Sequence, residues 1–244
     1  MAEAGALLDL AEDEIHVWRA ELDLPADAVE RLAGLLSPDE RTRAARFLLA
    51  RVRTRFVVGR GLLRTILARY AGCAPERLRF TYGARGKPAL AGSDGTGLSF
   101  NVSHSDGCAL FAVARGREVG VDVERLRPMP RAERIAERFF SRPERTALRE
   151  VPPERRVEAF FTCWTRKEAY IKARGDGLGH PLDQFAVSLV PGEAARLWAA
   201  GDGDEREVAR WSLDAVPPAP GYVAALAALG AGWRLTSREW PLGG

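Results

Sequence analysis

A chain of 244 residues, 46% hydrophobic and 28% charged with a formal net charge of +3, has the make-up of an ordinary globular protein of one large domain or two small ones. The longest apolar run, Gly221 to Trp233, is too short to span a bilayer, and the acidic start lacks the basic region of a signal peptide. The scattered Cys73, Cys108 and Cys163 fit neither a zinc site nor a disulfide framework, so the expected location is the cytoplasm. The sequon at Asn101 and the RGD triplet from Arg174 then read as chance.

In chain order, Ile15 to Asp23 alternates like an opening strand. Ser37-Pro38-Asp39-Glu40 marks a helix start, with Ser37 capping and Pro38 at the first helical position, and helical character runs to Tyr70 with room for a break. Between Arg41 and Ala74 there are nine arginines and no acid. A merely solvated helix mixes its signs, so this imbalance points to an anionic partner such as phosphate, on a ligand or a nucleic acid. A turn-rich basic stretch, TYGARGKPAL, leads to a strand over Leu98 to Val102, a turn at SHSDG, a strand over Cys108 to Ala114, a turn, and a strand at VGVDVE. This meander places Ser103 and His104 in the sheet that carries Asp122 and Glu124. An arginine-rich segment from Arg125 to Arg156 follows, then a helix over Val157 to Arg174 closed by Gly175 as a left-handed cap. Leu182 to Val190 and Tyr222 to Leu229 read as later strands. No internal repeat stands out.

Residues two apart on a strand share a face, so Asp122 and Glu124 point together, roughly 7 Å apart. Two carboxylates so placed repel unless a positive group lies between them, and a hard divalent cation is the simplest one; the plainer reading is an exposed edge with two solvated acids. On the following helix Trp164, Glu168 and Lys172 are spaced i, i+4, i+8 along one side. Glu168 then offers a third oxygen ligand or a base and Lys172 a point charge for phosphate, against the bland alternative of a surface Glu–Lys pair beside a core tryptophan. Of the 36 basic residues only Lys87, Lys167 and Lys172 are lysine, all in motif-like stretches; either those places need a compact ammonium or they are chance survivors of an arginine-rich composition. Three acids, a basic helix, placed lysines and His104 together point to metal-assisted chemistry on a polyphosphate ligand. A magnesium nuclease and a non-catalytic coenzyme A or nucleotide binding module remain as alternatives.

GVDVE followed by WTRKEAYIKARGDGL resembles the paired signatures of the 4′-phosphopantetheinyl transferases, and FNVSHSDG and RGKP resemble the family's two upstream signatures, in the same order. The Trp164 and Lys167-Glu168-Ala169 variant is similar to the surfactin-synthetase type. The resemblance implies an α+β fold of two similar halves, 1–118 and 119–244, related by a pseudo-two-fold with the active site at their interface, acting as a monomer. It implies transfer of phosphopantetheine from coenzyme A to a serine of an acidic acyl or peptidyl carrier protein, releasing adenosine 3′,5′-bisphosphate, with no nucleic-acid or membrane partner. By the same resemblance Asp122, Glu124 and Glu168 match the magnesium ligands (Mn²⁺ able to substitute). Glu168 also matches the serine's base and Lys172 the lysine at the scissile diphosphate. Lys87, Ser103 and His104 match coenzyme A contacts, while Arg43 and Arg55 fall where basic residues surround the adenosine 3′-phosphate, with Arg51 a neighbouring candidate. Glu40 stands where a basic residue is expected. The segment from Arg125 to Arg156 holds ten arginines and five glutamates and, with Met129, is the expected docking surface for the carrier.

Overall fold

The computed structural model describes residues 7–92, 97–175, 180–217 and 219–241. It is a mixed α+β fold. Its first part runs β1 (Glu14–Glu21), α1 (Ala26–Gly34), α2 (Pro38–Ala45), α3 (Ala50–Ala71), the hairpin β2 (Phe80–Tyr82) and β3 (Pro88–Leu90), then β4 (Leu98–Ser105) and β5 (Cys108–Arg115). The second runs β6 (Val119–Arg125), α4 (Ala132–Phe139), α5 (Arg142–Glu150), α6 (Arg156–Arg174), the hairpin β7 (Phe185–Val187) and β8 (Leu197–Ala199), α7 (Glu205–Val208), β9 (Trp211–Ala215) and β10 (Tyr222–Leu229). A last strand, β11 (Arg234–Glu239), leaves the second part and pairs in parallel with β1.

The order strand, two short helices, long helix, hairpin, strand pair therefore occurs twice. A short sequence echo accompanies it: SPDERT at 37–42 opens α2 and SRPERT at 141–146 opens α5. Both are capping boxes, Ser37 with Glu40 and Ser141 with Glu144. Each glutamate is buried and holds a cation from its long helix: Glu40 takes Arg60 at 2.5 Å and Arg64 at 2.7 Å from α3, and Glu144 takes Lys167 at 2.8 Å from α6. A buried charge survives only when paired and hydrogen-bonded, so these pairs fix each short helix against its long one. The acid at position 40 is thus the anion that the basic helix needs internally, and part of that helix's positive charge is answered within the chain.

Two sheets form, β11-β1-β5-β4 and β6-β10-β9. The alternation of β5 and β10 decides the layering. Phe111 and Val113 of β5 pack with Leu62, Ile66 and Leu67 of α3, whereas Leu110 and Ala112 pack with Val121 and Leu226 of the other sheet. On β10, Ala225 and Ala227 face Phe160, Ile171 and the rest of α6, and Leu226 faces back. The result is a helix–sheet–sheet–helix stack, with each helix covering the outer face of its own sheet.

The sheets also meet edge to edge at β4 and β6, through side chains. Asn101 Oδ1, Ser103 Oγ and Ser105 Oγ accept the backbone N–H groups of Val121 (2.9 Å), Val123 (3.3 Å) and Arg125 (3.1 Å). These bonds hold β4 extended through Ser105, so the expected turn at SHSDG contracts to Asp106 and Gly107, with Asp106 at φ 51°. Ser103 and His104 lie on a strand. The expected strand over Leu182 to Val190 is shorter too, a 3₁₀ turn at Leu182–Gln184 followed by β7. The RGD triplet ends at Asp176, outside the described residues.

Candidate active site

Val121 and Val123 point into the core between the sheets, so Gly120, Asp122 and Glu124 face α6. Gly120 permits the approach: a Cβ there would collide with the Ala169 carbonyl and the Ala173 backbone. With no side chain between them, β6 and α6 come close enough for Asp122 and Glu124 to share one cleft of about 320 Å³ with Ser103, His104, Trp164, Glu168 and Lys172. The helical side carrying Trp164, Glu168 and Lys172 faces the acidic strand. Trp164 is half-buried, stacked on Phe160 with centroids 6.3 Å apart, and serves as both core and cleft wall.

Lys172 Nζ donates to Asp122 Oδ1 at 2.6 Å and to Ser103 Oγ at 3.0 Å, and Ser103 Oγ donates to Asp122 Oδ1 at 2.7 Å. Asp122 Oδ2 is buried and has no hydrogen-bond partner. Burial, followed in the same direction by the charge of Glu124, raises the Asp122 pKa despite Lys172 and Ser103. Glu124 is held by Ser105 Oγ at 2.7 Å and Arg127 at 3.2 Å. Glu168 has no hydrogen bond or ion pair among the described residues; burial first, then the charges of Asp122 and Glu124, raise its pKa. His104 is exposed at its surface, yet crowding by protein and then the charges of Lys172 and Arg55 lower its pKa, against the opposing charges of Asp122 and Glu124.

Asp122 Oδ2 tests the fit of a divalent cation. A buried carboxylate oxygen without a donor, in a cleft lined by two further carboxylates, is a hard oxygen ligand of the kind that suits Mg²⁺. Among the described residues no three such side chains already form a cation cage. Asp122 Oδ1 is turned to Lys172 and Glu124 Oε2 to Ser105.

The basic residues expected around a ligand phosphate lie outside this cleft. Arg55 donates to Asp23 at 2.8 and 2.6 Å and to Asp106 at 2.7 Å, and Arg51 donates to Asp23 at 3.1 Å. With Arg125, which also pairs with Asp106, they line a neighbouring cleft of about 410 Å³. Arg43 lies over the Phe56 ring, 5.4 Å from its centroid. Lys87 is tied to Glu118 at 2.6 Å and to the Ala173 carbonyl near the end of α6 at 2.8 Å. Lys167 is fully buried, donating to the Leu182 and Phe185 carbonyls at 2.7 Å each, and has no place in the cleft. Reasoning from sequence missed Asp23, Asp106 and Ser105. The period-two run Asn101, Ser103, Ser105 was a signal for the last, whereas Asp23 has none.

Residues 118–227 match the family model of the 4′-phosphopantetheinyl transferase superfamily, and residues 25–115 match that of the 4′-phosphopantetheinyl transferase N-terminal region. The chain is 43% identical over 228 residues to the 4′-phosphopantetheinyl transferase HetI of Nostoc sp., covering 93% of this chain and 92% of that protein. It is 33% identical over 186 residues to the 4′-phosphopantetheinyl transferase psf-1 of Bacillus pumilus, covering 76% and 78%. With the 4′-phosphopantetheinyl transferase Sfp of Bacillus subtilis it shares 32% identity over 160 residues, 66% of this chain and 69% of that one. Two sheets joined at an acidic cleft, and likeness at this level over nearly the whole length, place the chain in the 4′-phosphopantetheinyl transferase family.

Proposed function

We propose that this enzyme moves 4′-phosphopantetheine from coenzyme A to a serine hydroxyl of an acyl or peptidyl carrier protein, with Mg²⁺ in the cleft and adenosine 3′,5′-bisphosphate as the second product. The observation that carries this reading is the convergence of Ser103, His104, Asp122, Glu124, Glu168 and Lys172 on one cleft. One chain supplies residues from both β4 and β6, which supports action as a monomer.

Asp122, Glu124 and Glu168 would hold the metal, which when bound neutralises charge on the diphosphate and orients it. Glu168, without a hydrogen bond among the described residues and with a raised pKa, would take the serine proton, directly or through water. The serine oxygen then attacks the phosphorus that bears the pantetheine arm. As that P–O bond forms, the bond to the departing adenosine 3′,5′-bisphosphate breaks, and Lys172 offsets the charge growing on the leaving phosphate. His104 would donate to a diphosphate oxygen, and Ser103 would do so once its hydroxyl turns from Asp122. Arg43, Arg51 and Arg55 supply the basic surround of the 3′-phosphate, and Lys87 closes the coenzyme A side once released from Glu118.

The carrier's acidic helix would dock in the groove of about 460 Å³ between α4, α5 and the start of α6, where Met129, Leu148 and Val157 are bordered by Arg145, Arg149 and Arg156 on the α5 and α6 side, with Glu133 and Glu137 of α4 opposite. No helix among the described residues is long and apolar enough to cross a membrane.

The test is to incubate the enzyme with coenzyme A, Mg²⁺ and an apo carrier and weigh the carrier. A gain of one phosphopantetheine that EDTA abolishes and Mg²⁺ or Mn²⁺ restores is expected, with Asp122→Ala folded and inactive. Hydrolysis of nucleic acid with no change in carrier mass would establish the nuclease reading instead.

A further inference from the structure

The joint between α2 and α3 exposes apolar side chains that the reaction does not use. Leu48 is 95% exposed and Leu49 70%, with Val52 at 42% one turn on. The corner is shaped. Phe47 turns inward onto Phe56, ring centroids 5.2 Å apart, and Arg53 donates twice to the Phe47 carbonyl, at 3.0 and 3.3 Å. Phe47 is thus half-buried against Phe56, while Leu48 and Leu49 are held outward. Scattered single leucines on a surface need no explanation, but a fixed adjacent pair with a third apolar residue beside it marks a contact. From position 41 to 53 every charged residue is arginine.

The corner borders the substrate clefts. Arg51, less than one turn from Leu48, reaches Asp23 at 3.1 Å and Asp106 at 3.6 Å, and Asp106 also holds Arg125, where the segment leading to α4 begins. Arg51 of the corner and Arg125 of that segment therefore line the same cleft. A folded protein that presents a serine there crosses one flank or both.

We propose that the corner from Arg46 to Arg53 is a second docking point for the carrier protein, taking an acidic, apolar-centred face of that domain. This rests on the transfer reading above. Charge selects the occupant: a second copy of this chain would bring arginine against arginine, whereas an acidic face meets Arg46 and Arg53 while its apolar centre covers Leu48 and Leu49. An anionic membrane laid on the corner would also close the cleft beside it.

The test measures binding of an acyl carrier protein whose acceptor serine is changed to alanine, by fluorescence anisotropy, against the full-length enzyme with coenzyme A bound. Leu48→Gln with Leu49→Gln should raise the carrier Kd roughly tenfold, as for a central apolar contact. Arg46→Glu should raise it further and flatten its salt dependence. Coenzyme A affinity and melting temperature should stay at wild-type values, since these side chains are exposed. A carrier Kd within about twofold of wild type in the double variant overturns the proposal. So does loss, at unchanged carrier Kd, of binding to phosphatidylglycerol vesicles or of self-association. The same carrier with its serine intact separates the two readings: if the wild-type enzyme fails to modify it, the transfer reading fails, and if it is modified while the variants bind normally, only the docking inference fails.

Discussion

Lys167→Met removes a cation that lies next to Glu168 in sequence but on another face of α6. Lys167 Nζ is 2.8 Å from Glu144 Oε1, donates to the Leu182 and Phe185 carbonyls at 2.7 Å each, and lies 4.1 Å from the centroid of the Phe185 ring, with both charged side chains essentially inaccessible. Glu144 keeps three other donors, the Ser141 N–H and hydroxyl and the Val187 N–H, at 2.7 to 2.8 Å. Methionine fills the space but leaves a buried carboxylate without its counter-charge and two carbonyls without a donor. Breaking a buried pair from one side costs about 3–5 kcal/mol. At roughly 2–4 °C per kcal/mol for a protein of this size, the melting temperature should fall by about 6–20 °C. Urea unfolding followed by tryptophan fluorescence gives the free energy directly. The double variant Lys167→Met with Glu144→Gln should recover at least about 1.5 kcal/mol of the loss, because the unpaired charge is gone. A single variant less than about 1 kcal/mol below wild type, or a double variant no better than the single, would refute the view that this pair anchors α6.

The remaining expectations concern the cleft. Arg55 and Arg51 hold the Asp23 carboxylate down to about pKa 2, so at neutral pH it competes with any phosphate for them; Asp23→Asn should tighten coenzyme A binding several-fold by calorimetry, and unchanged or weaker binding would place the 3′-phosphate elsewhere. Lys172→Ala should lower kcat more than it raises the coenzyme A Kd, because the charge it offsets grows in the transition state, and Lys172→Arg should restore only part; equal losses would make it a ground-state contact. In the metal-free enzyme burial, and then the charges of Asp122 and Glu124, raise the Glu168 pKa, so its carboxyl followed by NMR should titrate above the range of an ordinary glutamate, and added Mg²⁺ should lower that midpoint. A midpoint unmoved by Mg²⁺ would remove Glu168 from the metal site.

Much of the site was legible because it rests on local periodicity. Two-residue spacing placed Asp122 and Glu124 on one face, and four-residue spacing placed Trp164, Glu168 and Lys172 on one side of a helix; those faces meet in the cleft. Gly175 ended α6 as a left-handed cap at φ 77°, as its lack of a Cβ allows. Tertiary structure alone decided which charges answer one another. The arginines of α3 read as an unbalanced row, yet Arg60 and Arg64 are met by Glu40 from α2, and Arg51 and Arg55 by Asp23 and Asp106. Lys167 and Lys172 looked alike in sequence, but one is sealed in the core against Glu144 and the other opens onto Asp122. A coulombic partner is set by distance through space, and 43 and 23 residues of chain separate Glu144 from Val187 and from Lys167. The contact of β4 with β6 was hidden for the same reason: serine and asparagine side chains stand in for a backbone ladder there, and only the packed sheets bring them to the Val121, Val123 and Arg125 amides.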